Sequence, residues 1–435
     1  MKFRNIFLFI LFITFSTCKK EDVVVQNSEE NFIEDKTVVL TLSSWRKDDI
    51  KQINEILAEF NKNYPDIKVR HEPMTTDDVI LYNKALTAQF EVGEGPDLYY
   101  LASFALSKPF FEKGFLENLS DLPGIKENFS KDVLKGWSTD DGIVYGVPFI
   151  ATSHGIYYNK NIFKDLDIKI PDSWEDLLEI SKQIKTAGIA PFSNGSYDKW
   201  TMAECIFMNV APNFLGGKEG RLEYLDGKKG FNDKKMVSLF ESLRDLGKFF
   251  LDEQEQLSYT DSLQIFVEGR AAMLFGGSWD IPFFESQKIA FDWSVFPPPP
   301  KKGEKKYITF HLDAGIGMNP KIKNKKEALL FLQWLTTFEA GTLLANRLPG
   351  FFPMHNKTGE LNNKYANTFL LFNKDREKDF RFAWEKISEG TPSAYDLIQD
   401  NTISVVSGKI SPKQAADNLQ EGLSKWYEPA KKFSK

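Results

Sequence analysis

The stretch from Gly142 to Trp174, GIVYGVPFIATSHGIYYNKNIFKDLDIKIPDSW, constrains the fold more than any other. Its apolar centre, Val144 to Tyr158, contains a proline and a glycine but few charges, so it is too interrupted for a surface helix and too apolar for an exposed loop. Such a segment reads as backbone buried along most of its length, passing between two packed bodies. Two bodies need enough chain, and 435 residues with 42% hydrophobic content exceed what one ordinary core accommodates. Bodies joined in this way leave a cleft between them.

The N-terminus has a different character. Lys2 and Arg4 give a positive start, Ile6 to Phe15 an apolar run, and Ser16-Thr17-Cys18 small residues ending in cysteine. That run is well short of the roughly 20 residues a membrane-spanning helix requires, so an export signal is expected rather than an anchor helix. A cysteine at this place resembles a bacterial lipoprotein signal, which implies lipidation of Cys18 and attachment to a membrane through acyl chains. Residues 19–36 mix charged and polar side chains without periodicity and read as a flexible tether. With Cys18 used in this way, Cys205 is left alone, and stability must come from packing instead of disulfides.

Thr37 to Leu42 has the pattern of a buried strand ending at Ser43-Ser44-Trp45. A helix is predicted next from Ile50, Ile53, Leu57 and Phe60 on one face, then a strand over Asp66 to His71. Strand, helix and strand with short connections imply an α/β fold with a parallel sheet, and ligands bind beyond the carboxyl ends of such strands. Trp45 stands at one such end, where it either lines a site or covers the strand. Gly93-Glu94-Gly95-Pro96 lacks the further glycine or Gly-Lys-Ser/Thr of a phosphate cradle and reads as a turn. Ser173 with Asp176 has capping-box spacing, and Ser411-Pro412 starts another helix.

Several function classes are disfavoured. The formal net charge is −6 and no long basic run occurs, so a nucleic-acid partner is not expected. His71, His154, His311 and His355 are too scattered for a helical metal motif, and no GxSxG elbow is present, so neither metal nor cofactor is expected. A polysaccharide-active enzyme needs two carboxylates across a bond, a separation that sequence does not give. The 14% aromatic content suits pockets built from flat rings: a pyranose presents C–H faces that pack on Trp and Tyr, and edge hydroxyls that need acceptors and donors.

Seven segments, in order, carry a resemblance: FNKNYPDIKV at Phe60–Val69, GEGPDLYYL at Gly93–Leu101, GIVYGVPF at Gly142–Phe149, YYNKNIFKDLDIKIPDSWEDL at Tyr157–Leu177, FVEGRAAMLFGGSW at Phe266–Trp279, EALLFLQWLTTFEAG at Glu327–Gly341 and LPGFFP at Leu348–Pro353. Together they resemble the sugar-binding family of extracellular solute-binding proteins of bacterial ABC importers, which includes the maltose-binding protein. The resemblance implies a two-lobed, type II periplasmic-binding-protein-like fold, a carbohydrate ligand, permease subunits as partners and a monomer. It also implies three interlobe crossings forming a hinge, near Phe149–Ser153, Thr309–Ala314 and Leu348–Phe351. The first lobe is then residues 37–150 and 315–347, the second 151–314 and 348–435.

By the same resemblance, Tyr197, Asp198 and Trp200 line the second lobe, and Trp279 stacks on the ligand. Asp280 beside it either accepts from a hydroxyl or caps a helix. Thr152 and His154 fall in the first crossing, His311 and Asp313 in the second, and Phe351 and Phe352 at the third. Trp45, Arg46 and Ser103 are the first-lobe candidates. Leu101, Phe104 and Ala105 replace a tryptophan, an acidic residue and an arginine of the maltose-binding pattern, which counts against maltose itself. Other members bind polyols or glycerol phosphodiesters, and a chemoreceptor or adhesion complex is an alternative partner.

Overall fold

The computed structural model describes residues 37–434 except 48 and 75–78, so the signal, Cys18 and the tether lie outside the described residues. The strands are β1 (Val38–Ser44), β2 (Ile67–Pro73), β3 (Leu98–Ala102), β4 (Val147–Asn159), β5 (Ala190–Phe192), β6 (Ala271–Gly277), β7 (Trp293–Phe296), β8 (Tyr307–Met318) and β9 (Glu377–Asp379). Along one continuous path they are ordered β2-β1-β3-β8-β4-β6-β5, with β7 on β4 and β9 on β8. Helices cover the strands, giving a mixed α/β architecture.

The expected opening unit is present: β1 and β2 pair in parallel, joined by the helix Ile50–Asn63. That helix buries Ile53, Ile56, Leu57 and Phe60, while Ile50 is 37% exposed at its first turn. Within β1, Leu40 and Leu42 are buried but Val39 is exposed, an alternation in place of the fully buried strand expected. The sheet is also not parallel throughout. β3 pairs antiparallel with β8, β8 with β4, and β4 with β6, because the chain returns through the centre of the sheet in the opposite sense.

β4 explains the unusual stretch that opens the sequence reading. Of its 13 residues all but Tyr158 are buried. From Val147 to Ser153 it pairs with β8, and from His154 to Asn159 with β6 and β7. One strand therefore serves both halves of the path, and the chain is a two-lobed molecule. At the changeover three segments lie side by side. Ala151 exchanges two 2.7 Å backbone hydrogen bonds with Phe352, and Thr152 is registered against His311. Ser153 Oγ donates to Thr309 O at 3.3 Å.

Local signals behave as their chemistry demands. Ser173 and Asp176 form the reciprocal capping box, and Ser411 Oγ accepts from Gln414 N with Pro412 in the first turn. The prolines at 297–300 form a loop whose Pro300 carbonyl accepts from Trp174 N at 2.7 Å.

Candidate functional site

Residues two apart on a strand share a face, and the register pairs Thr152 with His311, so Thr152, His154 and His311 present one surface where β4 and β8 pass between lobes. Asp313 continues it and is 16% exposed. Glu204 and Arg381 come onto this surface from segments outside the sheet. Glu204 belongs to a wholly buried π-helical segment, Met202–Met208, the kind of widened turn often found where a helix carries a functional group.

Its Oε2 lies 2.8 Å from Arg381 Nε, and its Oε1 accepts from Trp384 Nε1 at 2.9 Å. The Arg381 guanidinium stands 4.7 Å over the Trp384 ring and 4.0 Å from Asp313 Oδ1. His311 sets its ring edge-on to Trp384 at 4.7 Å, with Nε2 3.4 Å from Asp313 Oδ1.

The electrostatics follow from burial and neighbours. Burial pushes His311 down to about 3, with the positive Arg381 adding to it and Asp313 opposing. His154 is also held well below the usual histidine range, by burial first and then by Arg381 and His311. Burial raises the Glu204 carboxyl, against the pull of Arg381, Trp384 and Tyr395. Burial acts upward on Asp313 too, yet the net direction there is down, through His311, Arg381 and Arg46. Thr152 Oγ1 and both ring nitrogens of His154 have no hydrogen-bond partner of good geometry among the described residues.

Next to this surface, Trp279 is partly buried and sets its ring edge-on to His154 at 5.1 Å. Its Nε1 donates to Tyr259 Oη at 2.8 Å, and that hydroxyl donates to Asp280 Oδ1. Asp280 Oδ2 accepts from Gly277 N at 3.0 Å, so it closes its own turn, Ser278–Asp280, as well as engaging Tyr259, and makes no side-chain capping bond to the helix Ile281–Ser286 that follows. The glycines before Trp279 have a steric reason. A Cβ on Gly277 would lie 2.0 Å from the Trp279 ring, and one on Gly276 2.4 Å from Asp280 Oδ2. Tyr259 also draws in the other second-lobe candidates: Asp198 Oδ2 accepts from its N–H at 2.7 Å, and Trp200 sets its ring edge-on 4.7 Å away. Tyr197 points outward and is 68% exposed.

The first-lobe candidates are engaged mainly in structure. Trp45 is buried edge-on to Tyr82 and Tyr100 at 5.4 and 5.5 Å and closes the end of β1. Arg46 pairs with Asp49 at 2.6 Å and lies 4.2 Å over the ring of Phe351. The Ser103 hydroxyl donates to Leu312 O at 2.7 Å. Phe352 sits in the smaller of two hydrophobic clusters with Tyr157, Phe284 and Phe369. Contacts also span from the first-lobe rim to the segment carrying Arg381: Ala105 N donates to Trp384 O at 3.3 Å, and the Phe104 and Phe380 rings are 5.7 Å apart.

Sequence reasoning missed Glu204, Arg381, Trp384 and Tyr259. An acid inside the apolar run MAECIFM was an available signal for Glu204, since a buried carboxylate needs a partner. Among the described residues no group of three His, Cys, Asp or Glu could hold a metal. Two surface cavities, of about 280 Å³ beside Gly95 and Lys323 and about 370 Å³ beside Gly247 and Glu253, lie away from the cluster.

Comparison with known proteins bears on the fold and family. A family model described as bacterial extracellular solute-binding protein matches residues 44–342. The multiple sugar-binding protein of Streptococcus mutans is 25% identical over 317 residues, covering 71% of this chain and 73% of the relative. The sn-glycerol-3-phosphate-binding periplasmic protein of Brucella abortus is 26% identical over 252 residues, covering 53% of this chain and 55% of that one. Among solved structures, a chitin oligosaccharide binding protein has the same fold with a TM-score of 0.76 at 22% identity, covering 91% of this chain and all of its own.

Proposed function

The chain belongs to the bacterial extracellular solute-binding proteins, and on that premise we propose that it captures a sugar or oligosaccharide between its lobes and hands it, chemically unaltered, to an ABC importer. The single observation that carries the sugar reading is the cluster around Trp279. A partly exposed indole, fixed by Tyr259, stands beside a face of acceptors and donors that includes the buried Thr152 and His154 and the partly exposed Asp313. An indole face fits pyranose C–H groups, and the surrounding carboxylates and imidazoles fit hydroxyls.

In this reading Trp279 stacks, Asp313 and Asp280 accept from hydroxyls, and Arg46 closes from the first lobe over Phe351. Trp200, Asp198 and Tyr197 extend the site toward the rim for a longer ligand. The lobes divide as 37–150 with 315–347 and 151–314 with 348–435, and a ligand that touches both favours the closed state because only there are both sets of contacts made. The monomer is anchored through lipidated Cys18, and the permease subunits read the closed outer faces.

Thermal-shift screening of the mature chain against neutral mono- and oligosaccharides tests this, since a ligand that binds only the folded state raises the melting temperature. A saturable shift is expected for at least one saccharide, with the sugar recovered intact. A shift only with non-carbohydrate solutes, or hydrolysis of the sugar, would overturn it. For the anchor, Cys18→Ala should move the protein from the membrane to the soluble fraction.

A further inference from the structure

We propose that Glu204 sets the ligand-charge preference of the cleft: by holding Arg381 in an ion pair, it withholds that guanidinium from anionic ligands and reserves the site for uncharged polyhydroxyl compounds. This rests on the reading that the face around Arg381 and Trp279 is where the ligand sits.

Anionic ligands are usually taken by a guanidinium whose fork of donors is open to a carboxylate or phosphate. Two guanidinium groups border the face, and each has a carboxylate oxygen close to its Nε. Arg46 is 2.6 Å from Asp49, and Arg381 is 2.8 Å from Glu204 with Asp313 at 4.0 Å. Counting Asp280, four carboxylates stand against two arginines, so an incoming anion meets an excess of negative charge. The nearby Lys378 does not alter this. It sits 4.5 Å over the ring of Phe310, whose side chain leaves β8 on the face opposite His311.

The placement of Glu204 is otherwise costly. It is 4% exposed within an apolar segment, where a carboxylate loses its hydration. Trp384 N–H needs only an acceptor there, which an amide oxygen would equally supply. The negative charge itself is required only by Arg381.

Glu204→Gln isolates that charge, because it keeps the acceptor and nearly the same volume. Calorimetry on the mature chain would use sn-glycerol 3-phosphate and galacturonate as anionic probes beside the neutral saccharide panel. The wild type should bind both anions at least about tenfold more weakly than its best neutral saccharide, and Glu204→Gln should narrow that ratio by about tenfold or more. The gain should fade with added salt. A role in folding alone would change neutral and anionic affinities by the same factor, which would sink the proposal. So would a wild type that binds either anion as tightly as any sugar. Asp313→Asn removes the other carboxylate facing Arg381 and should shift the ratio the same way, less far, should Glu204→Gln not fold. If no saccharide binds yet the variant gains anion affinity, the sugar reading falls and the role of Glu204 stands.

Discussion

Two buried arginines use the same chemistry differently. Arg221, on the helix Gly217–Leu225, is 2% exposed and reaches Asp379 at 2.9 Å and Glu385 at 2.6 Å. These carboxylates flank the short segment that contains Arg381 and Trp384, so Arg221 fastens both its ends. Arg381 is nearly as buried but faces Glu204 and, across 4.0 Å, the partly exposed Asp313. The first network is closed, each carboxylate accepting a hydrogen bond from Arg221; the second is open, with Asp313 4.0 Å from the guanidinium. A closed ion network fastens backbone, whereas an open one can also answer to what arrives from outside.

The largest expected effect tests the fastener. Arg221→Met leaves the buried Asp379 and the partly exposed Glu385 without their cation and should cost about 3–5 kcal/mol of stability, read from chemical denaturation. Sugar affinity, measured where the variant is folded, should change far less; the reverse pattern would place Arg221 with the open network. Trp279→Ala should weaken saccharide binding by about 1–3 kcal/mol by calorimetry while leaving the melting temperature of the ligand-free protein nearly unchanged. Unaltered affinity would remove Trp279 from the site.

Acid stability probes the open network next. His311 is neutral in the folded protein, with its titration pushed from 6.5 down to about 3, while the unfolded chain takes up a proton near 6.5. Its contribution is therefore complete above that pH and is lost as pH falls toward 3, at up to about 1.4 kcal/mol per pH unit. His311→Gln should flatten the stability profile between pH 6 and 4; an unchanged slope would assign the acid sensitivity to His154 or another group. The smallest effect concerns Ser103→Ala, which removes the bond to Leu312 and should cost about 0.5–1.5 kcal/mol of stability with little change in affinity.

Much of the fold was legible because its signals are local. The capping box at Ser173, the helix face from Ile53 to Phe60 and the buried run through Val147–Asn159 each depend on residues a few positions apart. Trp279 was named through the resemblance of its segment, FVEGRAAMLFGGSW, and the Gly-Gly pair before it makes room for it and for Asp280. The Glu204–Arg381–Trp384 cluster was not, because its partners are separated by nearly half the chain and each alone reads as packing or a surface charge. The antiparallel centre of the sheet escaped for the same reason: β3 meets β8 only through long-range pairing.

The pairing of β4 with β8 carries a mechanical consequence. Its register shifts at Pro148–Ile150 and again at Ile150–Ala151, just before the ribbon leaves one lobe for the other. Irregular pairing bends and twists a strand more readily than a regular ladder. The two strands thus behave as a leaf spring with a soft point built in, able to flex there while the hydrogen bonds on either side hold. Stiffness in that spring, set by a proline and two irregular steps, would govern how fast the molecule cycles.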